Sequence, residues 1–306
     1  MIPVRIVFDY AIYVVARVFI CVIQSLPLET CDRLAGSLAV ILNDWLGVRR
    51  AVVDENLRHA YPALTQLQRR LVSRRMWKHL VLLVCEIALV ARKIHRTNWH
   101  QHIRVHRKKD LLERLLSPRA NVVVTAHFGN FELAGYVAGL LGFPSFTIAR
   151  PLDNPFLHRY LNQYRSATGQ FMLPSRGSAN VAEGVLARGE TLALLGDHYA
   201  GARGCWVEFF GRPASCHKGL SLFSLASGSP LIVLYSKRLD RPLQFEIGVA
   251  GIADPEDNSS SLSTVPDLTQ WYNRQLEAII NDAPGQYWWL HRRWKDPRKP
   301  ATKRKR

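Results

Sequence analysis

Two side chains suited to proton transfer stand close together in the middle of the chain. They are His127 and Glu132, in the run NVVVTAHFGNFELAGYVAGLL (121–141). On one continuous helix, a separation of five residues would set them well apart around the axis. A change of structure between them brings them back together. NVVVTA is a short apolar run rich in β-branched residues and reads as a buried strand. Gly129 supplies backbone freedom for a turn, Asn130 is a good helix N-cap, and Glu132 falls in the first helical turn, where the helix dipole favours its charge. His127 is then expected at the carboxyl end of a central strand, the edge where α/β sheets bind ligands. A carboxylate on one imidazole nitrogen fixes the tautomer and raises the basicity of the other, which makes a general base. Other chemistries have no support: there is no G-x-S-x-G, no P-loop, no GxGxxG and no HExxH. The five cysteines (21, 31, 85, 205, 216) show no CxxC spacing, so neither a disulfide framework nor a metal site is expected.

The elements that must position this pair follow from the periodicity. From Glu29 to about Arg96 the pattern is helical, and the stretch from Leu80 to Val90 is almost wholly apolar, as burial in a core or against lipid requires. Strands and helices then alternate. IRVH (103–106), NVVVTA (121–126), SFTIA (145–149), TLALLGD (191–197), PLIVLYSKRL (230–239) and PLQFEIGVA (242–250) read as strands. KKDLLERLLS (108–117), FELAGYVAGLLG (131–142), NPFLHRYLNQYRSATG (154–169), ANVAEGVLARGE (179–190), HKGLSLFSLASG (217–228) and DLTQWYNRQLEAIIND (267–282) read as helices. This predicts an α/β sandwich, with a mixed, largely parallel central sheet flanked by helices and a helical region ahead of it. With no repeats and no interior linker, the chain divides into an N-terminal helix (1–28), one domain (29–297, with a helical lead-in to 100 and an α/β core from 101) and a basic tail (298–306).

Of 306 residues 48% are hydrophobic, and 41 Lys+Arg against 24 Asp+Glu give a net charge of +17, which calls for anionic partners such as a lipid surface, an acidic protein or nucleic acid. The N-terminal stretch from Ile6 to Pro27 is long enough to span a bilayer but contains Asp9 and Arg17. Near the membrane centre each charge costs about 2.5–3.5 kcal/mol, while each Ile, Val or Phe returns about 0.3–0.6 kcal/mol, so spanning is marginal. A tilted span, a helix in the membrane plane and a buried core helix all fit the pattern. No A-x-A site follows, so a cleaved signal peptide is not expected.

HFGNFELAG resembles the HxxxxD/E signature of the lipid A late acyltransferases, a family within the glycerolipid acyltransferase superfamily. The resemblance extends in order through ARPLDNPFL (149–157), VEFFGRPASCHKG (207–219) and YWWLHRRWKDP (287–297). It implies a glycerolipid-acyltransferase-like fold, with His127 taking a proton from a substrate hydroxyl that attacks an acyl thioester, and Glu132 as the partner of the base. Gly129 and Asn130 can present N–H donors to the tetrahedral intermediate. Arg150 has the fork geometry for phosphate or carboxylate; a solvated surface position is its alternative. Asn154 either caps the next helix or touches substrate. The family's Asp-Gln after the fourth of these strands reads Asp197-His198 here; the match at Asp197 implies a substrate-binding residue, and the departure is at His198. Arg203 in the same loop either reaches a phosphate or is solvated. The histidines of HRKK, RKIHR and HRRW read as solvated basic faces.

The implied activity is transfer of a fatty acyl group from acyl carrier protein or coenzyme A to a hydroxyl of a lipid A-type glycolipid or a lysophospholipid. It needs no metal or other cofactor. The implied place is the cytoplasmic side of a bacterial inner membrane, whose anionic lipid attracts the TKRKR end. A nucleic-acid-binding protein would explain the basic tail but gives no role to the apolar N-terminus or the His–Glu pair. An inactive scaffold of the same fold has nothing in the sequence to favour it.

Overall fold

A computed structural model describes residues 4–174, 177–257 and 261–295; the basic tail lies outside them. The chain begins with four helices: α1 (Val4–Ser25), α2 (Leu28–Val40), α3 (Arg50–Ala60) and α4 (Gln66–Lys93), with a π-helical turn at Ile41–Trp45 extending α2. Thr65 and Gln68 form a reciprocal capping box at the start of α4. Next come β1 (Ile103–His106), α5 (Lys108–Leu115), β2 (Asn121–Thr125), α6 (Phe131–Leu140), β3 (Ser145–Ala149), α7 (Pro155–Ser166), β4 (Gln170–Pro174), α8 (Ser178–Ala187) and β5 (Thr191–Leu195). A hairpin of β6 (Cys205–Phe209) and β7 (Arg212–Cys216) follows, then α9 (Gly219–Ser227), β8 (Leu231–Arg238), β9 (Phe245–Ala253) and α10 (Val265–Asp282).

The seven-stranded sheet has the order β1-β9-β8-β2-β5-β3-β4. All neighbours are parallel except β8 and β9, which pair antiparallel through a bulge at Val233/Leu234. The fold is therefore α/β with a mixed, mostly parallel sheet flanked by helices, as the alternation of strand and helix patterns predicts. β2 lies at the centre because it is apolar on both faces. Val122 and Val124 pack into the main core with Leu192, Leu231 and Tyr272, while Val123 packs on the other face with Ile232 and Val249. The Leu80–Val90 stretch of α4 goes into protein: Leu82, Cys85, Leu89 and Val90 are buried with Ile23, Cys31 and Ala35 of α1 and α2.

Two elements differ from the sequence reading. QFMLP forms β4, an edge strand beside β3, where a terminal Pro174 is tolerated because one side of the strand is unpaired. WVEFFGRPAS forms a separate two-stranded hairpin in which Val207 and Ala214 are buried while Trp206 and Glu208 point outward. The closing aromatic–basic segment is not a solvated tail. It folds back across the carboxyl edge of β2, with the Gly129 N–H donating to Gln286 O at 2.9 Å, the Trp288 N–H donating to His127 O at 3.0 Å and Phe128 bridging to Tyr287.

Candidate active site

β2 ends at Thr125, and His127 follows on the carboxyl edge of the sheet, 11% exposed at its side chain. Gly129 takes φ +55°, and a Cβ there would sit 1.8 Å from Ser236 O, so both the backbone conformation and the close approach of β8 demand glycine. The Asn130 Oδ1 accepts from the Leu133 N–H at 3.1 Å and so caps α6. This fastens the strand end, the turn and the helix start in the expected order.

The carboxylate that meets the imidazole is Asp197, which follows β5, the strand paired beside β2. Its Oδ1 accepts from His127 Nδ1 at 2.8 Å and its Oδ2 from the His127 N–H at 3.0 Å. Since a carboxylate only accepts, the proton of the neutral ring belongs on Nδ1. Nε2 is left as the basic nitrogen, and it makes no hydrogen bond among the described residues. Glu132, the partner expected from the sequence, points to α7 instead. There it forms a two-pronged ion pair with Arg165, one prong at 3.0 Å. The first turn of α6 carries Glu132 past the ring, and the Arg165 fork is a better-matched partner for a carboxylate than one imidazole nitrogen. Glu132 still lies within the electric field of His127. Burial lowers the imidazole's basicity, but the charge and hydrogen bond of Asp197, with a smaller contribution from Glu132, outweigh it, and the His127 pKa is raised above 6.5. Burial acts to raise the carboxyl of Asp197, only 3% exposed, but the charge and hydrogen bond of the imidazole beside it outweigh this and hold it well below the usual range.

Three aromatic neighbours fix the ring. Phe131 and Trp288 meet His127 edge-on at 5.1 and 5.4 Å, and His198 stacks on it at 4.2 Å with the planes 7° apart. His291 stacks on the far side of His198 at 4.4 Å and accepts from the Tyr199 N–H at 3.1 Å. Thus His291 belongs to the site and is not a solvated face. Arg293 of the same segment is buried, donating to Ser215 O and Cys216 Sγ at 2.7 Å. Burial, and after it the neighbouring imidazole, push His198 down, and the same two causes take His291 to about 4. His198 and His291 are therefore neutral at pH 7. His127, Asp197 and His198 place ligand atoms within 4.8 Å of one another, but parallel stacked rings cannot aim their in-plane lone pairs at a common ion without one of them rotating.

A cavity of about 990 Å³ opens beside this cluster. It reaches Glu132, Arg165, His198 and His217 at the carboxyl edge and is bounded by α5, α6 and the strands β2, β3 and β5. Its walls are mostly apolar, with Leu111, Leu112, Val137, Leu141, Phe143 and Ile247 among them. On β5 it runs from Leu195 back to Thr191, about 13 Å at the rise of a strand.

The remaining expected residues are distributed unevenly. The Gly129 and Asn130 N–H groups are already committed to Gln286 O and Ser236 O at 2.9 Å, so they are not free to meet an oxyanion. Asn154 caps α7, accepting from the Phe156 and Leu157 N–H groups at 3.0 Å, and spends its amide on Asp9 O at 2.8 Å. Arg150 lines the cavity rim with its side chain 81% exposed beside Asp153. Arg203 lies exposed in the loop before β6, away from the cavity wall. Sequence reasoning missed the support behind the turn. Glu86 of α4 is fully buried, and it accepts from Arg238 Nε at 2.8 Å, Asn130 Nδ2 at 3.2 Å and the Leu243 N–H at 3.1 Å. His79 Nε2 reaches Gly129 O at 3.1 Å. A charged Glu inside the apolar half of α4 and a His at its edge were the available signal, since such residues are buried only with partners.

Comparison with known proteins agrees with the geometry. The sequence profile of the bacterial lipid A biosynthesis acyltransferases matches residues 3–296. A lipid A biosynthesis lauroyltransferase of Escherichia coli K12 is 24% identical over 279 residues, covering 89% of this chain and 88% of that protein. A lipid A biosynthesis acyltransferase of Haemophilus influenzae Rd is 20% identical over 284 residues, covering 89% and 84%. A lipid A biosynthesis palmitoleoyltransferase of Escherichia coli K12 is 25% identical over 181 residues, covering 58% and 56%. A profile match over nearly the whole chain places it in the bacterial lipid A biosynthesis acyltransferase family.

Proposed function

We propose that this acyltransferase moves a fatty acyl group from an acyl thioester, carried by acyl carrier protein or coenzyme A, to a hydroxyl of a lipid A-type glycolipid on the cytoplasmic side of a bacterial inner membrane. The observation that carries the reading is the juxtaposition of His127, oriented through Nδ1 by Asp197, with an apolar cavity of about 990 Å³. The acyl chain lies in the cavity, and the thioester carbonyl stands at the rim formed by Glu132, Arg165 and His198. His127 Nε2 takes the hydroxyl proton as the oxygen attacks the carbonyl carbon. The tetrahedral intermediate then collapses, the C–S bond breaks, and the leaving thiolate takes the proton from the imidazolium. Asp197 and Glu132 both favour that imidazolium, the first through a hydrogen bond and the second through its field. The reaction draws on no metal and no cofactor beyond the thioester. The excess of 41 basic over 24 acidic residues suits an anionic leaflet and an acidic carrier protein, and nothing in the site is built for nucleic acid.

Mass spectrometry of lipid A from cells with and without the protein tests this. One acyl chain should be missing without it, restored by the wild type and not by His127→Ala at equal protein level. Restoration by His127→Ala would remove the base from the mechanism, and an unchanged lipid A would remove the acceptor.

A further inference from the structure

The way α1 is fastened to the rest of the protein carries a conclusion about the membrane. Its least exposed positions are Asp9, Tyr13, Ala16, Ile20, Ile23 and Gln24, a spacing of three and four that draws one stripe down the helix. That stripe is tied to the domain at both ends. Near the start, Asp9 O accepts from Asn154 Nδ2, the cap of α7, and Tyr10 packs edge-on against Phe156 at 5.3 Å. Arg17, in the middle, lies over the Tyr160 ring of α7 at 4.7 Å and donates to Tyr13 Oη at 2.8 Å. Near the end, Gln24 Nε2 donates to Ala88 O of α4 at 2.8 Å. Apart from Arg5, Arg17 and the terminal Ser25, the other faces are exposed and largely apolar, Phe8 at 64%, Val15 at 69% and Phe19 at 55% among them.

From Asp9 to Gln24 the helix rises about 22 Å, most of a hydrocarbon core about 30 Å thick. A helix crossing the bilayer would therefore carry one of its two attachment points, and the domain fixed to it, deep into the membrane. At the first end that means Arg150, Asp153 and Arg159, all exposed. At the other it means Arg92 and Lys93, exposed one turn beyond Ala88. Charges at that depth are costly, and although Arg150 and Asp153 pair with each other, Arg159, Arg92 and Lys93 make no ion pair among the described residues. With the helix in the membrane plane, every one of them stays in water while the apolar faces dip into the leaflet.

We propose that α1 is an in-plane anchor embedded in one leaflet, with both of its ends on the side of the catalytic domain. The proposal rests on the reading of the chain as a membrane-associated acyltransferase. It adds a route for the acceptor: Arg150, on the cavity rim, is four residues from the cap that holds α1, so the cavity opens at the surface of the leaflet and a glycolipid enters it without leaving the membrane.

The test uses the full chain with the one exposed cysteine of the described residues removed, Cys21→Ser, and a single new thiol, Arg5→Cys, near the start of α1; the other four cysteines are buried. Lys109→Cys, on the exposed side of α5, is the control for the domain side. A membrane-impermeant maleimide is applied to intact spheroplasts and to inverted membrane vesicles, with lipid A acylation measured alongside to show that each variant is folded. Labelling of both thiols only in inverted vesicles is expected. Labelling of Arg5→Cys in intact spheroplasts, with Lys109→Cys silent, would overturn the proposal and make α1 a span. Recovery of active protein in the soluble fraction would overturn the membrane reading beneath it, a different result.

Discussion

Replacing Asp197 with Asn separates the two carboxylates near the base. The change keeps the shape of a side chain that is 3% exposed, yet removes the charge 2.8 Å from Nδ1 and can present an amide N–H where the imidazole needs an acceptor. Turned that way, the amide forces the proton onto Nε2, and the ring can no longer take one from a hydroxyl. A positioned general base contributes about 100- to 10,000-fold, and an Asp-to-Asn change that reverses a catalytic histidine's tautomer costs the upper end of that range, so kcat should fall by about 100- to 10,000-fold. Asp197 does not line the cavity, so KM should hold. The pH profile supplies the second readout. The base works only when neutral, so activity rises with pH through the His127 pKa, which in the wild type lies above 6.5. Without Asp197, burial acts with little opposition and the acid limb of the residual activity moves to lower pH. The assay is steady-state acyl transfer in detergent–lipid micelles across the pH range where imidazole titrates, beside Glu132→Gln as comparator. Glu132→Gln should lose less activity, because it weakens a field and leaves the tautomer alone. If Asp197→Asn keeps wild-type kcat and limb while Glu132→Gln loses both, Glu132 is the orienting acid and the reasoning from the hydrogen bond fails.

Two further outcomes follow from the packing. Glu86→Ala should lower stability by about 3–5 kcal/mol, read as a shift in the urea midpoint, because it strands the buried Arg238 guanidinium without its carboxylate; an unchanged midpoint would mean the pair carries no strength. Ala193→Phe, in the cavity wall on β5, should shift lipid A toward shorter acyl chains. Excluding about two to four methylenes at about 0.8 kcal/mol each disfavours the longer donor by about 15- to 200-fold. An unaltered chain length in the mass spectrum would place the acyl chain elsewhere.

The fold was legible because its signals are local. The β-branched run at 122–125 and the apolar run at 231–235 are strands wherever they pack, and Asn130, Asn154 and Thr65 cap helices through bonds that span three residues. The edge strand β4 was hidden because a strand with one partner needs no apolar alternation. At the site, His127 could be found from its own neighbourhood, since a polar residue after a buried strand demands a use. Its orienting carboxylate could not, because Asp197 is 70 residues away and becomes adjacent only through the pairing of β2 with β5. The nearer acid, Glu132, was the natural choice until α7 brought Arg165 within reach of it. Likewise the HRRW segment looks like a charged surface when read alone, and the chain's return across the β2 edge is what buries Arg293 and half-buries His291 and Trp294.

The contacts of Glu86 also set how the protein can be divided. Residues before 100 look like an appendage to an α/β core, yet one carboxylate from that region holds the cap of α6, the end of β8 and the N–H of Leu243 in a single knot. A fragment starting at β1 would contain His127, Asp197 and all the cavity-lining residues except Trp99, and would still expose an orphaned guanidinium behind the turn after β2. The smallest piece of this chain that can fold on its own therefore includes α4, and any chimera that exchanges the core must exchange that helix with it.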